Sequence, residues 1–222
     1  GTLISVRLRL ILTNFHCVAD KISAVEREEP QPDGTVRKVR REKLDDVTVS
    51  QRAYKGFDRV GAAEYIAVVA VYKKKRDLAV LQLRADAIPH TVEARLLPEG
   101  RQLQRGERVY LVGNPSMLDA SGADGIISSL SRTVEAPWAD NERLPFIQTS
   151  APAFGGSSGG ALFTADGYFI GVPSAGIPGV LTLAIPYGVV KEVLREGCLA
   201  SAFDPSADDA KCSVRLVPGK EA

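Results

Sequence analysis

An all-β fold with a single late helix is what the 222-residue sequence predicts, on three observations. Strand-like segments are numerous, short and separated by Gly, Pro or charged residues. Only one stretch near the C-terminal end carries clear helical spacing of apolar residues. The composition, 45% hydrophobic and 25% charged, is that of an ordinary globular chain, and at this length it supports a real core without metals or disulfides.

The strands are expected, in order, in "ISVRLRLILT", "DVTVSQRAY", "YIAVVAVYK", "LAVLQL", "ERVYLVG", "GIISSLSRTV", "FIQTS", "ALF", "YFIGVPSAG" and "VLTLAIP", each rich in Val, Ile, Leu or Tyr. Between the first two, "REEPQPDGTVRKVRREKLDD" combines dense charge with turn residues, which predicts a solvated hairpin. The stretch "HTVEARLLPEGRQLQRGE" has neither period and is expected to join an N-terminal half, residues 1–100, to a C-terminal half, residues 101–186. The helix is expected over 187–197: Val189, Val190, Val193 and Leu194 recur at helical spacing after Pro186, and Gly197 stops it. Residues 198–222 read as a tail.

Charge and cysteine usage exclude several function classes. Lys and Arg number 28 against 27 Asp and Glu, so there is no overall electrostatic case for nucleic acid or an anionic membrane. The longest apolar stretches are too short to cross a bilayer, and the opening "GTLISVRLRLILTNFHC" alternates apolar with charged residues instead of building a targeting core. Cys17, Cys198 and Cys212 have no metal-site spacing, so no metal and no cofactor is expected. Whether Cys198 pairs with Cys212 is left open, and Cys17 is expected as a small buried hydrophobe.

The segment with chemical character is "APAFGGSSGGALF", residues 151–163, where two serines lie between glycine pairs. A flexible linker is the bland alternative. The strand-like segments on both sides argue instead for a tight loop between core strands, with glycines that allow close approach to a hydroxyl or to the backbone. A nucleophilic serine needs a base, and the chain has two histidines, His16 and His90. G-x-S-x-G centred on Ser158 first suggests a hydrolase nucleophile elbow, but that order puts the histidine after the serine, and both histidines precede it.

Two orders remain, Asp77–His90–Ser158 and His16–Asp77–Ser158. The first belongs to a fold of strands alternating with long helices, which this sequence lacks, and His90 reads as a surface histidine after a proline. The second belongs to paired antiparallel barrels with a late helix, and it is preferred. Taken singly, His16 also fits a core histidine, Asp77 a strand-start cap beside the solvated "KKKR" run, and Ser158 a turn residue.

A series of motifs then agrees in order. "LTNFHCVAD" resembles the T-x-x-H-x-V segment, and "RDLAVLQL" the D-L-A-V-L strand, of trypsin-like, HtrA/DegP-type serine proteases. "YLVGNP", "DGIISSLSR", "IQTSAPAFGGSSGGALF", "GVPSAG" and "LAIPYGVV" resemble successive later segments of the same family over most of residues 10–195. Where the family has Pro-Gly-Asn-Ser, this chain has Gly155-Gly156-Ser157-Ser158. The resemblance implies a chymotrypsin-like fold of two six-stranded-type antiparallel β-barrels and a C-terminal helix; as departures from the family, no PDZ-like domain is expected in the short stretch after the helix, and the first strand is expected to be shortened or missing before Gly1. It implies a serine endopeptidase acting on polypeptides, periplasmic or secreted rather than cytoplasmic. The alternative is a catalytically silent member that binds peptides or serves as a scaffold.

By the same resemblance, Ser158 is the nucleophile, His16 the base, Asp77 its orienting acid, and the backbone at Gly156, Ser157 and Ser158 the oxyanion hole. Ser174, Ala175 and Gly176 would pair with substrate backbone, and Thr182 would stand across the specificity pocket. That pocket lacks a carboxylate, since Pro152 lies six residues before Ser158, between Ala151 and Ala153. Burying an unpaired substrate cation there would cost several kcal/mol, so small to medium aliphatic side chains are expected before the cut bond. Ser157, just before the nucleophile, has no charge to pair with a newly cut N-terminus, so activation by such cleavage is not expected.

Overall fold

The computed structural model describes residues 1–32, 35–55, 58–85, 88, 91–115, 121–178, 180–204 and 206–209. β1 (Thr2–Ser5) turns back at Val6–Arg9 into β2 (Leu10–Thr13), so "ISVRLRLILT", expected as one strand, is a tight hairpin. The turn closes because Arg9 takes a left-handed φ of 59° and Ser5 Oγ accepts the Leu8 N–H at 3.2 Å. β3 (Ile22–Pro30) and β4 (Val36–Leu44) pair only with each other, as the charged hairpin expected from composition. β5 (Val47–Lys55), β6 (Asp58–Lys73) and β7 (Leu78–Leu83) complete an open five-stranded half-barrel in the order β1-β2-β7-β6-β5.

The second sheet holds β8 (Arg95–Leu96), β9 (Arg108–Gly113), β10 (Ser121–Ala136), β11 (Glu142–Thr149), β12 (Ala161–Thr164), β13 (Tyr168–Ile177) and β14 (Leu181–Pro186). Its order is β12-β9-β10-β11-β14-β13-β8, and a β12–β13 pairing closes six of these strands into a ring. The fold is therefore all-β, of the chymotrypsin type, as the sequence predicts, with an open five-stranded half-barrel where the resemblance implies a six-stranded N-terminal barrel. α1 (Tyr187–Glu196) follows Pro186 and buries Val190, Val193 and Leu194.

Three apolar layers hold the chain together. One fills the half-barrel around Val69, Leu81 and Leu83, and a second fills the ring around Leu111, Ile127, Leu162 and Ile170. The largest is shared: Leu10, Leu12, Leu78 and Val80 of the half-barrel pack with Phe146, Phe169, Val172 and Ile185 of the ring and with the helix. β2 and β7 are buried at every position, because alternate residues feed different layers. Each fully buried Leu, Val or Phe stabilises by about 1.5–3 kcal/mol, so the ends of β2 and β7 are held firmly against the ring.

Among the described residues, no helix is long and apolar enough to cross a membrane, and no group of His, Cys, Asp and Glu could hold a metal ion. Cys17 is exposed, not buried, because the turn after β2 carries it out of the core. His90 and Cys212 lie outside the described residues.

Candidate active site

β2 and β7 end side by side, with Thr13 opposite Ala79. Past Thr13, a short 3-10 turn (Phe15–Cys17) carries His16. Asp77 stands immediately before β7 with a left-handed φ of 49°, and its N–H donates to Lys74 O at 3.0 Å. The shared register makes the two neighbours, and Asn14 ties them by donating Nδ2–H to Asp77 O at 3.0 Å.

Asp77 is 4% exposed, and three donors meet its side chain. His16 N–H donates to Oδ1 at 3.0 Å, His16 Nδ1 lies 2.9 Å from Oδ2, and the Ser174 hydroxyl donates to Oδ2 at 2.6 Å. A buried carboxyl group is tolerable only with such partners. With Nδ1 held by Asp77, the other imidazole nitrogen, Nε2, is left to do chemistry. The hydrogen bond to Asp77, followed by one to Cys17, pushes the His16 pKa up from 6.5 to about 10.

Ser158 arrives from the ring on the loop between β11 and β12. Ser157 N–H donates to Phe154 O at 2.9 Å, and Gly156 has a φ of 97°, the signature of a type II turn. Ser157 is 1% exposed; its Oγ accepts the Phe154 N–H at 3.3 Å, and its carbonyl accepts the Gly160 N–H at 3.1 Å. Ser157 is thus consumed by the loop, and its N–H is not available to an oxyanion, contrary to the sequence expectation. Among the described residues the N–H groups of Gly156 and Ser158, on either side of it, have no protein acceptor, and the Ser158 hydroxyl has no protein partner. Among the described residues no hydrogen bond joins Ser158 to His16, and such catalytic bonds commonly tighten only when substrate binds.

Gly159 docks the loop onto the histidine segment. Its φ is 76°, and a Cβ there would lie 2.3 Å from Thr13 Oγ1 and 3.3 Å from Asn14 N. Gly159→Val is expected to lose roughly 1–3 kcal/mol of stability and to push Ser158 away from His16; urea unfolding together with peptidase assays checks both effects.

A cavity of about 170 Å³ opens beside Ser158, walled by Ala153, Phe154, Pro173, Ala175 and Leu181, with no ionisable side chain among the described residues of its lining. Ser174 and Gly176 also line it. β13 pairs with β12 only as far as Gly171 and with β14 to Ile177, so over 174–177 one strand edge is unpaired among the described residues. Ser174 sits at an irregularity between Pro173 and Ala175, and this kink lets its side chain reach Asp77. That positioning role was not legible in the sequence, where the only signal is one hydroxyl inside an apolar strand. Thr182 is a correction: it is fully buried, its hydroxyl donates to Ala151 O at 2.7 Å, and Leu181 lines the cavity in its place. A second cavity, of about 430 Å³, lies on another side of Ser158 and includes Ser50, Arg52, Asn114 and Phe163.

The family described as "Trypsin-like peptidase domain" matches residues 1–172. A probable periplasmic serine endoprotease, DegP-like, of Halomonas elongata is 38% identical over 125 residues, which cover 54% of this chain and 24% of that protein. The serine endoprotease DegS of Haemophilus influenzae is 34% identical over 129 residues, covering 54% of this chain and 36% of that one. An HtrA-type protease solved with a decapeptide superposes with a TM-score of 0.58 at 25% identity, covering 87% of this chain and 49% of the other. The chain thus spans about a quarter to a third of the length of these curated relatives.

Proposed function

The chain belongs to the trypsin-like peptidase family, and from that premise we propose that it is a serine endopeptidase working through His16, Asp77 and Ser158. The observation that carries the reading is the buried Asp77 clamped between His16 Nδ1 and Ser174, with Ser158 at an adjoining cavity and the unengaged amides of Gly156 and Ser158 beside it. Ser158 Oγ attacks the peptide carbonyl while His16 Nε2 takes its proton. The N–H groups of Gly156 and Ser158 meet the oxyanion of the tetrahedral intermediate. His16 then passes the proton to the leaving amine, and water releases the acyl group by the same steps in reverse. Asp77 keeps Nδ1 protonated and stabilises the imidazolium; Ser174 holds Asp77.

The substrate lies along the unpaired edge of β13 as an added strand, with main-chain bonds that do not select sequence. Selection falls to the 170 Å³ cavity. Its uncharged lining favours Val, Ala, Ile or Leu before the cut bond, each added methylene being worth about 1–3 kcal/mol. A proteome-derived peptide digest read by mass spectrometry tests this: cleavage after small to medium aliphatic residues is expected, and dominant cleavage after Arg or Lys would refute the pocket assignment. A periplasmic location follows the relatives named for it. No specific observation favours the catalytically silent alternative.

The pH dependence has a defined sign. The base must be neutral to accept a proton, and Asp77 raises the His16 pKa above 6.5. The acid limb of kcat/KM is therefore expected above pH 6.5, with activity rising into the alkaline range, and it should move down in Asp77→Asn. A pH profile of wild type and variant checks both statements.

A further inference from the structure

Every described residue lining a cavity of about 430 Å³ beside β10 carries a hydrogen-bond-donating side chain. Three are guanidinium groups, of Arg105, Arg132 and Arg143. The rest are the hydroxyls of Ser128, Ser129, Ser131 and Thr133. Among the described residues no carboxylate shares the lining, in a chain whose net charge is only +1. None of these residues lines either cavity beside Ser158.

The backbone explains the gathering. In a regular strand Ser128 and Ser129 would point to opposite faces. Here β10 slips twice against β11: Ile127 pairs with Thr149, Ser129 with Gln148 and Arg132 with Phe146, so five steps on β10 (127 to 132) answer three on β11 (149 to 146). Two bulges in succession turn neighbouring hydroxyls to one side. β9 pairs with β10 only as far as Ile126, which leaves this side of the bulged segment without a strand partner among the described residues.

Arg105 is brought in by a tight turn. Gly106 N–H donates to Ile127 O at 2.8 Å, and Ile127 N–H donates to Glu107 O at 2.9 Å. Arg132 donates Nε–H to Gln148 Oε1 at 2.8 Å, which fixes its stem and keeps both terminal nitrogens for a ligand. Arg143 Nη1 is 4.0 Å from Glu135 Oε1 in an exposed pair, which competes weakly.

We propose that this cavity is a binding site for a tetrahedral oxyanion, a phosphate group either free or carried on a phosphoseryl peptide. Guanidinium forks match phosphate oxygens bidentately, and hydroxyls supply the remaining donors. The site faces solvent, so its affinity falls with salt.

The test uses the whole chain carrying Ser158→Ala, so that cleavage does not disturb the readout. Inorganic phosphate is titrated by calorimetry, and a fluorescent phosphoseryl peptide is compared by anisotropy with its unphosphorylated twin. The phosphopeptide is expected to bind at least tenfold tighter than the twin and to be displaced by phosphate. Arg105→Gln with Arg143→Gln should reduce that preference to under twofold at an unchanged melting temperature, since both side chains are exposed. Ser131→Val gives an independent, smaller loss. Phosphate binding that the double substitution removes, without any peptide preference, assigns the site to the free ion. Binding that neither substitution weakens, or no binding of either probe by wild-type arginines, overturns the proposal.

Discussion

Ser158→Ala is expected to lower kcat/KM for peptide substrates by roughly 10⁵–10⁶-fold, the scale on which loss of a nucleophile from such a catalytic unit is felt. The fold should survive unchanged. Ser158 is only half-buried, and its hydroxyl has no protein partner among the described residues, so its removal leaves no polar group stranded and should shift stability by about 0.5 kcal/mol at most. Peptide binding along β13 should persist, because the strand edge and the cavity are untouched. Ser157→Ala makes the contrast: it removes the acceptor of the Phe154 N–H in a part-buried contact, and water can reach the exposed Phe154, so it should cost about 0.5–1.5 kcal/mol with a far smaller loss of activity. Steady-state kinetics and denaturant unfolding of the two variants separate them. A Ser158→Ala enzyme retaining more than about a hundredth of wild-type activity would contradict the assignment.

Asp77→Asn carries the second largest effect, about 10⁴-fold in kcat. Asp77 offers His16 only acceptors, at Oδ1 for the backbone N–H and at Oδ2 for Nδ1. An Asn side chain puts an NH₂ in place of one oxygen, and one of the three donors now converging there must face another donor. If the NH₂ faces His16, the proton is forced onto Nε2, the nitrogen that must accept from Ser158. The loss should appear in kcat rather than KM, because the substrate edge is untouched, and the acid limb should drop toward 6.5 as the carboxylate's hold on the imidazole disappears. A companion change, Ser174→Ala, removes one donor and leaves Asp77 on His16, so a much milder loss is expected. Activity of Asp77→Asn within tenfold of wild type would contradict the role given to Asp77.

What could be read from the sequence was local or ordered. The charged hairpin over β3 and β4, the helix after Pro186 and the order His16, Asp77, Ser158 all show in residue types and spacing, because periodicity and turn chemistry act over a few residues. The hairpin at Val6–Arg9 did not show, because apolar and charged residues alternate straight through a turn that has neither Gly nor Asn, and Arg9 adopts the left-handed conformation that such residues usually mark. The Ser174–Asp77 bond joins residues 97 apart, a contact that only the shared apolar layer between the two sheets creates. Thr182 was misplaced for a similar reason. Alternation along β14 decides whether position 181 or 182 faces the cavity, and the register of that strand is set by Gly176 and Thr149 on its neighbours. At Ser157 the residue type was visible, but the direction of its N–H depends on the turn from Phe154.

The central claim is that Ser158 is a nucleophile activated by His16 beside an oxyanion site formed by Gly156 and Ser158. Incubation of the folded chain with a fluorophosphonate, followed by intact-mass and peptide mapping, tests it most directly, since the reagent reports the activated hydroxyl without needing the right substrate. A single adduct is expected on Ser158, forming faster as the pH rises from 6 to 9 and absent from Ser158→Ala and His16→Ala. No adduct on a chain with an intact melting transition across that range, or an adduct on Ser157 or another serine that persists in Ser158→Ala, would contradict the account.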